Sequence, residues 1–152
     1  METSKGVMTL ELYTARAPRT VEQFMATVNA GKYDGLKFHR IIKDFMIQGG
    51  DPLGTGTGGG SVKFEGSDVK HVPGVISMAA QQAHVDQSDM QFFIMTGTAD
   101  QLDGNYTAFG HVTEGMDVLS AIAATPVGPA PWGERSRPLE DVYIINVSEV
   151  GG

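Results

Sequence analysis

Cysteine is absent from the 152-residue chain. Neither a disulfide framework nor a thiolate metal site is therefore possible, and the redox compartment is left open. No apolar run approaches the roughly 20 residues that cross a bilayer, and the start, Met1-Glu-Thr-Ser-Lys5, lacks the apolar centre of a secretory leader. The expectation is a soluble chain without a membrane partner, either cytoplasmic or exported after loss of a leader not present in this sequence. Positive charge is scarce: 11 Lys and Arg stand against 18 Asp and Glu, for a net charge of −7. No basic stripe exists to follow a phosphate backbone, which argues against nucleic acid as a partner. His39, His71, His84 and His111 show no paired ligand spacing, so no metal is expected. Without cysteine or a Gly-x-Ser-x-Gly elbow, nucleophilic hydrolysis has no support.

What the chain does have is 41% hydrophobic residues with 20 glycines and seven prolines scattered among short apolar runs. Its length fits one domain over 1–152, expected to be a monomer, and the punctuation predicts many brief strands rather than a helical bundle. Met8, Leu10 and Leu12 alternate with Thr9, Glu11 and Tyr13, the period of a half-buried strand. Further strands are expected at Lys37 to Ile42, Phe45 to Gly49, Val75 to Ala79, Gln91 to Thr96, Phe109 to Val112 and Val142 to Val147, with a weaker eighth at Ser61 to Phe64. Eight such strands suffice to close a small barrel filled by side chains. Two segments are helical in period. Thr20-Val-Glu-Gln23 has the form of a capping box and Gly31 suits a C-terminal cap, predicting a helix from Thr20 to Ala30. Val118, Leu119, Ile122 and Ala123 form the apolar stripe of a second helix, from Thr113 to about Ala124. Between Pro126 and Pro138 the density of proline predicts an irregular surface loop, with Trp132 as a loop anchor.

Gly54-Thr-Gly56-Thr-Gly-Gly59 formally matches the dinucleotide fingerprint. The fingerprint requires a helix amino terminus directly after it, to hold pyrophosphate, whereas Ser61-Val-Lys-Phe64 is strand-like. A flexible loop is the better reading.

Arg40 and Gln48 are polar residues within runs otherwise rich in Phe, Ile and Met. Taken alone, Arg40 reads as a side chain on the solvent face, because arginine is seldom buried, and His39 reads as a buried imidazole hydrogen-bonded to backbone. The longer stretch Phe38-His-Arg-Ile-Ile-Lys-Asp-Phe-Met-Ile-Gln-Gly-Gly-Asp51 resembles the signature of the cyclophilins. Ser77-Met-Ala79, Gln91-Phe-Phe-Ile94 and Leu102-Asp-Gly-Asn-Tyr-Thr-Ala-Phe-Gly110 resemble further segments of that family, in its order.

The resemblance implies a mainly β fold, a closed eight-stranded antiparallel barrel capped by two α-helices, agreeing with the strand count. It also implies peptidyl-prolyl cis/trans isomerase activity on X-Pro bonds in unfolded or flexible protein segments, with no cofactor. Arg40 would be catalytic, held by Gln48, while Phe45, Met46, Phe93 and Leu102 wall the proline ring. Ala79, Ala80, Gln91 and Tyr106 would line the rest of the peptide groove, with His39 as a neighbouring support. Departures from the family pattern occur between Met78 and Gln91, which is about two residues longer. They also occur at Gln101 and Tyr106, where the best-known members have tryptophan and histidine; cyclosporin should bind weakly. A catalytically silent proline-peptide binding module is the alternative, and a glycine-loop nucleotide enzyme a third.

Overall fold

In a computed structural model, which describes residues 1–81 and 86–150, the chain is mainly β with two helices. The strands in chain order are β1 (Glu2–Thr3), β2 (Gly6–Val7), β3 (Thr9–Leu12), β4 (Arg40–Ile42), β5 (Met46–Gly49), β6 (Ser61–Val62), β7 (Val75–Ala80), β8 (Gln87–Met95), β9 (Ala108–Glu114), β10 (Val127–Pro129), β11 (Arg135–Pro138) and β12 (Ile144–Asn146). The helices are α1 (Pro18–Asn29) and α2 (Met116–Ala123). The main sheet is antiparallel and runs β3-β9-β7-β8-β5-β4, with β6 added to β8.

The expectation of one closed eight-stranded barrel is corrected: the ladders form three sheets, the second being β12-β1-β2 and the third the β10-β11 pair. The segment from Lys37 to Ile42, expected as one strand, changes partner along its length. Its first part makes a single bridge, Lys37 to Tyr143, with the Phe38 N–H donating to the Val142 carbonyl at 2.9 Å and the Ile144 N–H to the Leu36 carbonyl at 2.7 Å. Only from Arg40 does it pair with β5. A strand that divides its bonds between two neighbours splits the ladder.

Both faces of the central strands are buried, and the two-residue period sorts their side chains. Phe92 and Ile94 of β8, Ile47 of β5 and Ile76 of β7 enter the main core with Phe24, Tyr33, Phe38 and Phe109. Phe92 is its hub, meeting Phe24, Tyr33 and Phe38 edge-on at centroid distances of 6.0, 5.5 and 6.0 Å. Phe93, Met95, Met46 and Val75, one residue out of step, form a second apolar cluster on the other face with Phe45, Leu102 and Tyr106. This second face carries the site. Helix α1 buries Val21, Phe24 and Val28 against the main core, and α2 adds Leu119 and Ile122.

The helix boundaries differ from expectation for specific reasons. Helix α1 starts at Pro18, whose missing N–H costs nothing at a first-turn position, and the capping box does not form. Instead Glu65, distant in sequence, accepts the Arg19 and Thr20 N–H groups at 2.9 and 2.8 Å, while Thr20 Oγ1 accepts from the Gln87 amide. The other end follows expectation. Gly31 has φ 69° and donates to the Val28 carbonyl, and Lys32 donates to that of Thr27, closing a Schellman motif. Helix α2 begins only at Met116, since Gly115 is left-handed at φ 96° and continues no helix backwards.

The segment read as an irregular loop contains the β10-β11 hairpin. Pro129 sits at its bulge and Pro138 at its end, positions where a ladder does without a donor. Strand β8 begins at Gln87 rather than Gln91, and β1 was not expected at all. Among the described residues no helix is long and apolar enough to cross a membrane.

Candidate active site

Register brings the site together. Arg40 of β4 lies opposite Gln48 of β5, which lies opposite Phe93 of β8, so the three share the face away from the main core. Arg40 Nη1 donates to Gln48 Oε1 at 3.1 Å, and Gln48 Nε2 donates to Gln91 Oε1 at 3.1 Å. Gln91 Nε2 then donates to the carbonyls of Gly56 and Gly58, at 3.2 and 3.0 Å. The chain of bonds fixes each amide's orientation and ties the guanidinium to the glycine loop.

Beside it is a cavity of about 620 Å³ lined by His39, Arg40, Phe45, Met46, Gln48, Ala79, Ala80, Phe93, Leu102 and Tyr106, together with Thr55 to Thr57, Gln81 and Trp132. Ten of the eleven site residues expected from the sequence thus face one hollow. The eleventh, Gln91, is buried at its edge and lines an adjoining cavity of about 720 Å³ over the glycine loop. The floor is apolar: Phe93 meets Tyr106 edge-on at 6.0 Å and is stacked on the buried His71 ring from behind at 5.9 Å. His71 is held in turn by Asp103 at 3.0 Å and Ser77 at 3.1 Å, and its pKa is lowered chiefly by burial.

Three features were not anticipated. Glu134, in the β10-β11 turn, grips Arg40 on two atoms: Nε to Oε1 at 2.9 Å and Nη2 to Oε2 at 3.0 Å. The hydrogen bonds from Arg40 pull its carboxyl down to about 2. A lone Glu in a proline-rich stretch 94 residues away carries no local signal; only the hairpin makes it a neighbour. Trp132, expected as an anchor, is 58% exposed and stands at the cavity rim. His39 is buried as expected, yet neither ring nitrogen has a hydrogen-bond partner among the described residues, which corrects the reading of a backbone-bonded imidazole. Its pKa is lowered mainly by desolvation, which favours the neutral ring.

The glycine loop has its own occupant. The Asp51 carboxylate, 1% exposed, accepts the N–H groups of Leu53 at 2.9 Å, Thr55 at 3.0 Å and Gly56. Burial would raise its pKa, but these donors and that of Gly58 outweigh burial and hold it below the usual carboxylate range. Backbone donors of the kind that cradle phosphate are here spent on an internal anion. Of the segment between Met78 and Gln91, where the length departure falls, Gln82 to Val85 lie outside the described residues, His84 among them. Among the described residues no group of three or more His, Asp or Glu could hold a metal ion.

The fold has close counterparts among solved structures. A cyclophilin type peptidyl-prolyl cis-trans isomerase from Cryptosporidium parvum superposes with a TM-score of 0.87 at 31% identity, covering 96% of this chain and 92% of its own. A second structure of that protein, determined in the presence of the dipeptide Ala-Pro, matches at 0.86. The family model described as cyclophilin type peptidyl-prolyl cis-trans isomerase/CLD matches residues 1–149. Peptidyl-prolyl cis-trans isomerase-like 1 of Neurospora crassa is 44% identical, covering 99% of this chain and 92% of that protein; its human namesake is 42% identical at 99% and 91%. The chain belongs to the cyclophilin-type peptidyl-prolyl cis/trans isomerase family.

Proposed function

We propose that this isomerase accelerates X-Pro rotation by holding the proline ring on Phe93, Met46, Phe45 and Leu102 while Arg40 donates to the twisted amide nitrogen. The amide resists rotation by about 20 kcal/mol because its nitrogen lone pair is shared with the carbonyl. In the twisted state the nitrogen becomes pyramidal and accepts a hydrogen bond, so a donor placed there acts only on the transition state. A turnover of roughly a thousand per second requires about 7 kcal/mol. One charge-assisted bond in water gives less; a donor preorganised in a partly dry cavity supplies more.

The observation that carries this reading is the fixed guanidinium at the wall of an apolar hollow, Arg40 being bonded to both Gln48 and Glu134. A proline ring offers no donor to grip, so burial and shape must hold it. Gln91, Ala79, Ala80 and Tyr106 extend the groove for the flanking peptide, with neutral His39 as an apolar support. Natural substrates are then proline-containing segments of unfolded or flexible chains, whose slow isomerisation steps the protein relieves without a cofactor. Gln101, exposed on the short 3-10 helix Asp100–Leu102, replaces the aromatic contact cyclosporin uses, so the drug binds weakly.

NMR exchange on an X-Pro test peptide decides the matter. Native protein should accelerate exchange, and Arg40→Ala should lose roughly 100-fold or more of that gain. An Arg40→Ala protein as fast as native refutes the role of Arg40, and native protein no faster than buffer leaves only the binding module.

A further inference from the structure

The proposed catalytic guanidinium is locked onto a carboxylate, and this calls for a reason. The pair is bidentate and both side chains are only 30% exposed, so it ties the hairpin to β4. It also consumes donors. Arginine has five N–H groups; Glu134 takes one on Nε and one on Nη2, and Gln48 takes one on Nη1, which leaves two without a partner among the described residues. The carboxylate is itself rigidly presented, because the turn that carries it is closed by the Ala130 N–H on the Glu134 carbonyl at 2.7 Å and the Gly133 N–H on the Ala130 carbonyl at 2.8 Å.

We propose that Glu134 is a positioning and specificity residue: it restricts Arg40 to two free donors facing the cavity and cancels its charge, so that the site disfavours peptides with an acidic residue beside the proline. The inference rests on the reading of Arg40 above. A bare guanidinium at the rim would capture a substrate carboxylate as a bidentate partner and be drawn off the prolyl nitrogen. With Glu134 in place that edge is filled, and an incoming carboxylate meets a like charge.

The test measures kcat and KM on three peptides that differ only in having Glu, Ala or Lys immediately before proline, for native protein, Glu134→Gln, Glu134→Ala, Glu134→Asp and Arg40→Ala. Native protein should favour Ala and Lys over Glu. Glu134→Gln, which keeps the shape and removes the charge, should raise kcat/KM for the Glu peptide roughly tenfold relative to the Lys peptide. Glu134→Ala should lower kcat on the Ala peptide roughly tenfold with little change in KM, and Glu134→Asp should restore part of it. The Arg40 Nε–H resonance, assigned by its loss in Arg40→Ala, should shift in Glu134→Gln as its acceptor changes. If Arg40→Ala is inactive while the Glu134 variants keep native kcat and native ranking, the proposal is overturned and the role of Arg40 stands. If Arg40→Ala keeps the native rate, the underlying reading fails and takes the proposal with it.

Discussion

Asp51→Asn isolates the energy stored in the glycine loop. One carboxylate oxygen serves Leu53 and the other serves both Thr55 and Gly56. An asparagine has one acceptor oxygen, and its amide group, in the place of the other, would point donors at donors. Turning the oxygen toward Thr55 and Gly56 forfeits the Leu53 bond; the reverse forfeits two. A bond to a charged group contributes about 1.5–3 kcal/mol, and the side chain is almost wholly buried. The expected loss is therefore about 3 kcal/mol, or a fall in melting temperature of about 6–12 °C for a chain of this size. Urea denaturation at neutral pH should show a lower midpoint at unchanged slope. The sign with pH follows from the depressed pKa of Asp51. The carboxylate's contribution is complete above the unfolded value of about 4 and disappears as the pH falls through the folded one, so native and variant stabilities should converge in acid. A variant within about 0.5 kcal/mol of native at neutral pH would refute the account, since surface substitutions commonly cost no more.

Glu65→Ala should destabilise by about 2 kcal/mol, because two first-turn N–H groups of α1 lose an anionic acceptor at the positive end of the helix. Thermal melts at neutral pH check this, and an unchanged melting temperature would show that water replaces the carboxylate at no cost. Gly97→Ala places a methyl carbon 2.1 Å from the Asp44 carbonyl oxygen, in the turn that leads into Phe45. Relief requires moving that turn, at about 1–3 kcal/mol, with a raised KM for prolyl peptides as Phe45 leaves the cavity wall; native stability and KM in this variant would exclude the contact.

Local patterning made much of the fold legible. The alternation in Met8 to Leu12, the apolar runs at Val75 and Gln91 and the spacing of Val21, Phe24 and Val28 predict elements that form because each buries its apolar side chains. The candidate site was legible where its residues lie on paired strands, since Arg40, Gln48 and Phe93 share a face through register and fall in the segments that resemble the cyclophilins. What escaped was decided across space. Thr20 cannot cap α1 because the helix already starts at Pro18, two residues earlier, and no pattern in Thr20-Val-Glu-Gln23 announces that Glu65 will accept the first-turn N–H groups instead. The prolines between Pro126 and Pro138 are compatible with a hairpin only because one falls at a bulge and another at an end. Glu134 owes its place beside Arg40 to that hairpin alone. The barrel remained open as drawn by its ladders because the segment around Phe38 and His39 belongs to two neighbours at once, a division that hydropathy does not record.

Trp132 has a practical meaning beyond its place on the rim. It is the chain's one tryptophan, more than half in solvent and beside the hollow that holds Arg40. If a prolyl peptide enters that hollow as proposed, it should replace water around the indole with carbon and move the protein's own emission toward the blue as ligand is added. A titration followed by that emission would then gauge occupancy without any label.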